Sequence, residues 1–301
     1  MTSQDPVDLQ VAEVLARRGR ECDEHLRAML DALPSTPARL RESIAYSLFA
    51  GGKRVRPTLV LEWHEAISGK SSPDNSAIHA AAAIELIHTF SLIHDDLPAM
   101  DDDDLRRGKP TNHKVFGEAL AILAGDAMTT LAFEQLSYAE PRHVCGLVRE
   151  LGFASGAQGM VGGQVMDLEN ENVSLPMREL QKLHAMKTGA LLTCACRLGA
   201  IAADATREQL DAATAYGRHL GLAFQIMDDV LDETSTPEEM GKATGKDGHA
   251  GKNTYPRLLG CEGSIALARE EVQRALDAIA PLGEAGATLA AIARFVVERK
   301  S

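Results

Sequence analysis

The sequence predicts an all-α protein in a single domain of about ten helices, and three observations carry that expectation. Ala, Leu, Glu and Arg dominate the 301 residues while aromatics make up only 4%, a composition suited to helices. No β-branched, alternating stretch lasts for the length of a strand, so an apolar period of 3.6 prevails over a period of 2 nearly throughout. Two segments, AIHAAAAIELIHTFSLIH (77–94) and YGRHLGLAFQIMDDVLD (216–232), are apolar on almost every face, which marks helices surrounded by other helices.

Helices are expected over residues 7–32, 37–50, 54–68, 76–96, 116–138, 142–168, 177–203, 206–233, 253–280 and 285–299. The prolines of DALPSTP (31–37) end the first helix, and SGKSSPDNS (68–76) separates the third from the fourth. A glycine pair, Gly51-Gly52, opens a loop before the third. The fourth and eighth helices each close on paired aspartates, the nearest thing to an internal repeat. No low-complexity linker divides the chain, so residues 1–301 read as one domain.

A formal charge of −12 argues against a nucleic-acid partner, which would demand clustered Lys and Arg. The N-terminal stretch starts acidic and lacks a continuous apolar core, so neither a secretory signal nor a membrane anchor is expected. No apolar run reaches the ~18 residues of a membrane span. The five cysteines are odd in number and scattered, and Cys194-Ala-Cys196 lacks a second pair, so buried thiols in a reducing cytoplasm are favoured over zinc.

The stretch SLIHDDLPAMDDDDLRRGKPTNH holds six aspartates within ten positions after an apolar run. Carboxylates at a helix C-terminus face the negative end of its dipole, and like-charged neighbours raise each other's cost of ionisation. Asp95, Asp96 and Asp101 form DDxxxxD; Asp228, Asp229 and Asp232 form DDxxD, with 228 and 232 on one helix face. Two such motifs suit Mg²⁺, which keeps several waters and takes one or two carboxylates plus substrate phosphate oxygens. Ordinary solvated aspartates are the alternative for either motif alone.

Basic residues supply the complement. GGKRVRP offers Lys53, Arg54 and Arg56 after the glycines, and LRRGKP offers Arg106, Arg107 and Lys109 directly after the first acidic cluster. His88 lies two turns before Asp95 on the same face, where a core histidine is an equal alternative. HAMKTGALL places Lys187 and Thr188 beside Gly189, which permits a local distortion. Gln225 is an amide inside an apolar stretch and requires a partner.

Together the two aspartate motifs, GGKRVRP, HAMKTG, FQIMDD and GKATGKD…KNTYP resemble those of the bacterial all-trans short-chain polyprenyl diphosphate synthases, the farnesyl and geranylgeranyl diphosphate synthase family, in order over residues 45–260. The resemblance implies the isoprenoid synthase fold: a helical bundle around a deep central cavity, assembled as a homodimer. It implies metal binding by Asp95, Asp96, Asp101, Asp228, Asp229 and Asp232. Arg106, Lys187 and Lys242 fall where the family holds the allylic diphosphate, and Lys53, Arg56, His88 and Arg107 where it holds isopentenyl diphosphate. Thr188 and Gln225 match positions near the developing allylic cation; Lys252 is a secondary candidate, and Asp102 to Asp104 are further metal candidates.

The cofactor implied is Mg²⁺, three ions per active site, with Mn²⁺ as a substitute. The implied reaction is head-to-tail condensation of isopentenyl diphosphate with dimethylallyl or geranyl diphosphate. Phe90, the fifth residue before the first motif, matches the family's pocket floor, where an aromatic accompanies a farnesyl (C15) product; Ser91 beside it is too small to block growth. Helix geometry puts Phe90 ~7–8 Å below Asp95 but ~140° around the wheel, so its direction is taken from the family alone. GKATGKDG also resembles some C20 synthases, which keeps geranylgeranyl diphosphate as the alternative product. A terpene cyclase would have no use for the GGKRVRP site, and a non-catalytic partner subunit would not need intact acidic motifs.

Overall fold

The computed structural model describes residues 6–171, 173–234 and 253–298. Its elements are α1 (Pro6–Asp31), α2 (Ala38–Leu48), α3 (Val55–Ser68), α4 (Asn75–Asp95), a two-stranded ribbon of β1 (Leu105–Arg106) and β2 (Lys109–Pro110), α5 (Asn112–Phe116), α6 (Glu118–Ser137), α7 (Pro141–Ser155), α8 (Met160–Glu169) and α9 (Met177–His184). A π-helical turn (Ala185–Gly189) then leads into α10 (Ala190–Ala202), followed by α11 (Arg207–Thr234), α12 (Tyr255–Ile279), a 3₁₀ turn (Ala280–Gly286) and α13 (Ala287–Glu298).

α4 runs through the middle of the bundle, against α1, α3, α6 and α10. Asp74 caps it by accepting the Ala77 N–H at 3.0 Å, and Ala77, Ala80–Ala83, Ile84, Leu86 and Ile87 are all fully buried. Short alanine side chains let neighbours approach closely, and Pro98 forbids the helix from continuing past the aspartates. By length and composition α4 is apolar enough to cross a membrane, contrary to the sequence expectation, but 67% of that window is buried inside the protein, as a core helix requires. The second such stretch, Tyr255–Glu298, is broken at Gly260 and Gly283, where the backbone leaves helical angles.

Three local departures from the expected helices bear on the site. Residues 142–168 form two helices, because Gly156 is extended and Gly159 also leaves helical angles; a Cβ at Gly159 would meet the Ala154 carbonyl at 2.0 Å. The expected helix 177–203 is interrupted by the π turn. The acidic loop folds back as a ribbon whose two central residues, Arg107 (φ 52°) and Gly108 (φ 72°), both have positive φ, the type I′ geometry of a tight hairpin.

The start of α3 is pinned by Arg54, which is buried and left-handed (φ 49°). Its guanidinium donates to Asp23 of α1 at 2.8 Å, to Glu85 of α4 at 2.6 Å and to the Leu48 carbonyl ending α2 at 2.5 Å. Arg54, offered by the sequence as a phosphate ligand, is thus spent on holding three helices together. Truncating one partner of a buried ion pair strands the others, so Arg54→Ala should cost ~3–5 kcal/mol in urea unfolding, whereas Lys53→Ala on the exposed loop should cost no more than ~1 kcal/mol.

Candidate active site

The first acidic motif sits at the end of α4, where the chain turns sharply: the Asp101 N–H donates to the Asp95 carbonyl at 2.9 Å and the Asp102 N–H to the Leu97 carbonyl at 3.1 Å. The I′ hairpin returns Arg106 to this end. Its Nε donates to both Asp96 carboxylate oxygens at 2.9 Å and its Nη2 to Oδ1 at 2.6 Å. Burial would lower the Arg106 guanidinium's pKa, and the Asp96 carboxylate beside it more than reverses that. Asp96 is buried, while Asp95 is partly exposed and Asp101 is exposed.

At the second motif the same division recurs. Asp229 is buried and holds both oxygens in hydrogen bonds, accepting from Gln225 Nε2 at 2.8 Å and from the Tyr255 backbone N–H at 3.1 Å. Asp228 is partly exposed and Asp232 exposed. Gln225 passes the order on, for its Oε1 accepts the Thr188 hydroxyl at 2.8 Å. Thr188 and Lys187 stand on the π turn, and Lys187 Nζ reaches Asp167 of α8 at 2.5 Å. A π turn adds one residue to a helix and rotates the side chains that follow, a common device at functional sites.

Electrostatics ties the two motifs into one region: Lys187 acts on Asp95, and Arg56 acts on Asp228. Arg56 carries a buried Nε that no group among the described residues accepts, and burial lowers its pKa. Arg107 donates to the Gly51 carbonyl and lies over Gly52, where a φ of +127° favours glycine. His88 is held neutral, its pKa driven well below the usual histidine value by burial and then by Arg56, Arg107 and Arg106. Lys53 is exposed on the same loop. Lys242 and Lys252 lie outside the described residues.

Phe90 is partly exposed and stacks edge-on against His94, ring centroids 5.7 Å apart, while His94 Nε2 meets the Ile122 carbonyl of α6 at 3.1 Å. Gly125 makes that approach feasible, since a Cβ there would lie 2.2 Å from His94 Nε2. Ser91 turns its hydroxyl onto the His88 carbonyl at 2.8 Å, within its own helix. His88, Phe90, Ser91, Thr188 and Gln225 all keep partial exposure on helices otherwise sunk in the core.

Sequence inspection missed Asp167 and, although it singled out KNTYP, gave Asn253 and Tyr255 no role. Asn253 accepts the Leu175 N–H at 2.8 Å and donates to the Val173 carbonyl at 2.7 Å, which fixes the approach to Tyr255. KNTYP was the available signal, but its contacts are with residues about 80 positions away.

The polyprenyl synthetase family profile matches residues 37–284. The chain is 46% identical over 260 residues to the farnesyl diphosphate synthase of Bacillus subtilis (strain 168), covering 85% of this chain and 86% of that one. It is 48% identical over 245 residues to geranylgeranyl pyrophosphate synthase 12, chloroplastic, of Arabidopsis thaliana, covering 79% and 67% respectively. Among solved structures it is similar to an FPP/GFPP synthase of Zymomonas mobilis, with a TM-score of 0.84 and 36% identity over 96% of this chain and 99% of that one. A geranyltransferase of Legionella pneumophila gives 0.83 at 32% identity, over 97% and 99%.

The aspartates fit a divalent cation on their own electrostatics. Burial, with Asp101 and Asp96 nearby, pushes the Asp95 carboxyl up to about 6, and burial with Asp228 and Asp232 nearby pushes Asp229 up to about 7. Among the described residues, only Asp102, Asp104 and His113 bring three ligand atoms within 4.8 Å of one another, so neither motif is a closed cage. Raised carboxyls bind more protons folded than unfolded, so their contribution is complete below about pH 4 and is lost as pH rises through about 6 to 7. In the metal-free protein the urea midpoint of Asp229→Asn minus that of the unsubstituted chain should therefore rise as pH goes from 5 to 8, whatever its value at pH 5. A difference that falls over that range would contradict the raised Asp229 pKa.

Proposed function

Since the chain belongs to the polyprenyl synthetase family, we propose that it condenses isopentenyl diphosphate with dimethylallyl and geranyl diphosphate to make farnesyl diphosphate. The observation that carries this is the pairing of two acidic helix ends with a separate basic group. One anion site needs only Arg106 and Lys187; Lys53, Arg56, Arg107 and neutral His88 provide for a second. Among the described residues the buried Arg56 Nε has no acceptor, which leaves it a donor for a substrate oxygen.

We assign Asp95, Asp101, Asp228 and Asp232 to Mg²⁺. Asp96 and Asp229 act mainly as orienting groups that aim Arg106 and Gln225, each having both oxygens already engaged. Bound Mg²⁺, three ions in this reading and replaceable by Mn²⁺, supplies Lewis-acid stabilisation of the departing diphosphate. Arg106 and Lys187, with Lys242 in the same role, hold the allylic diphosphate by charge-assisted hydrogen bonds.

As the allylic C1–O bond breaks, positive charge develops beside Thr188. Its single hydroxyl proton is committed to Gln225, so it turns oxygen lone pairs toward that charge. The double bond of isopentenyl diphosphate attacks the cation, forming the new C–C bond. The resulting cation loses a proton to the released diphosphate, so no side-chain base is required. The apolar lengths of α4 and α11 keep water from quenching either cation.

The product reading rests on Phe90 as the floor. Geranylgeranyl diphosphate is the second reading, favoured by the plant relatives at up to 48% identity. We further propose one domain over residues 1–301 and a homodimer, supported by exposed apolar side chains on α6 (Ile122, Leu123), α7 (Phe153) and α8 (Val161, Val165). All five cysteines are free thiols, in keeping with a cytoplasmic setting.

Incubation with Mg²⁺ and both substrates should yield farnesyl diphosphate by chromatography, and chelator should abolish it. Asp95→Ala should lower kcat by more than the about 10–100-fold typical of an outer metal partner, with smaller effects on KM. Turnover persisting in excess chelator would sink the metal assignment. Phe90→Ala should lengthen the product by at least one isoprene unit; an unchanged product from a folded, active variant would remove Phe90 as the floor.

A further inference from the structure

Lys187 is seated by a helix to which no motif drew attention. α8 carries Gly163 and Asp167 one turn apart, on one face. A Cβ on Gly163 would lie 2.3 Å from Lys187 N and 2.6 Å from its Cα, so this position gives its space to the Lys187 backbone. Asp167 Oδ2 takes the Lys187 ammonium at 2.5 Å. On the opposite side of the π turn, a Cβ on Gly221 of α11 would lie 3.0 Å from Gly189 Cα. The turn is therefore gripped between α8 and α11, with its lysine tethered at both ends of the side chain.

We propose that Gly163 and Asp167 are positioning residues that set the Lys187 ammonium for the allylic diphosphate before substrate arrives; this rests on the diphosphate-binding role given to Lys187 above. A free lysine loses rotamer entropy when it engages a ligand, and a tether transfers that loss to folding. An ammonium has three N–H donors, so one hydrogen bond to Asp167 leaves two for phosphate oxygens. His184, at the foot of the π turn, is kept neutral by burial, with a pKa of about 4, so it does not compete as a cation for Asp167.

The sign of the effect separates positioning from simple charge. A carboxylate near an anionic ligand repels it, so by charge alone Asp167→Asn would tighten allylic binding. Positioning predicts the reverse. Steady-state kinetics should show Asp167→Asn raising the allylic KM by about ten- to a hundredfold, with the KM for isopentenyl diphosphate within about twofold. Asp167→Glu should recover part of the loss, and in a Lys187→Met background Asp167→Asn should have no further effect. An allylic KM that falls or stays level in Asp167→Asn, or a full additive loss in the double variant, overturns the proposal. A wild-type allylic KM in Lys187→Met alone overturns instead the role given to Lys187. Gly163→Ala should displace Lys187 and impair the same KM; since it also risks misfolding, the Asp167 series carries the test.

Discussion

Everything at the active end follows from one electrostatic constraint: carboxylates have been gathered at the C-terminal ends of buried, apolar helices. Such positions face the negative end of the helix dipole, lie close to like charges and are partly removed from water. Burial, with like charges nearby, pushes the Asp95 carboxyl up to about 6 and that of Asp229 up to about 7. Only added positive charge relieves this crowding without protonation. The fold supplies part of that charge internally, as Arg106 on Asp96, and leaves the remainder to what binds.

The division of labour within each motif is the structural answer to this crowding. In both, the middle aspartate is buried and turned to protein donors, and through it a functional side chain is aimed: Arg106 in one case, Gln225 and then Thr188 in the other. The flanking aspartates stay closer to solvent. Because the middle residues consume their oxygens internally, the motifs do not close around a small ion. The apolar bodies of α4 and α11 then separate a charged rim from a dry interior, the arrangement a carbocation reaction needs.

Much of this was legible in the sequence. The helical class followed from composition and period, and the aspartate pairs announced themselves by closing two all-apolar segments. What stayed hidden depends on contacts distant in sequence. Lys53, Arg54 and Arg56 read alike, yet only topology puts Asp23 and Glu85 around Arg54 and leaves Arg56 Nε without an acceptor among the described residues. The I′ hairpin had a local signal, Arg107-Gly108, that polar composition obscured. The break at Gly156 and Gly159 was written in SGAQG, but helical periodicity on either side masked it. The π turn had Gly189 as a hint, whereas the glycines that give its backbone room, Gly163 and Gly221, lie on other helices. Asp167 carried no signal, being an ordinary acid on a short helix until the fold sets it against Lys187.

In this reading the acidic ends are completed by metal and diphosphate together, each incomplete without the other. Linkage makes this measurable, since mutual stabilisation must appear equally in both affinities. Titration calorimetry of Mg²⁺ into the protein, with and without inorganic pyrophosphate, tests it most directly. Weak Mg²⁺ binding alone is expected, tightened at least about tenfold by pyrophosphate, with pyrophosphate affinity rising by at least as much in saturating Mg²⁺. Equally tight Mg²⁺ binding with and without pyrophosphate would contradict it.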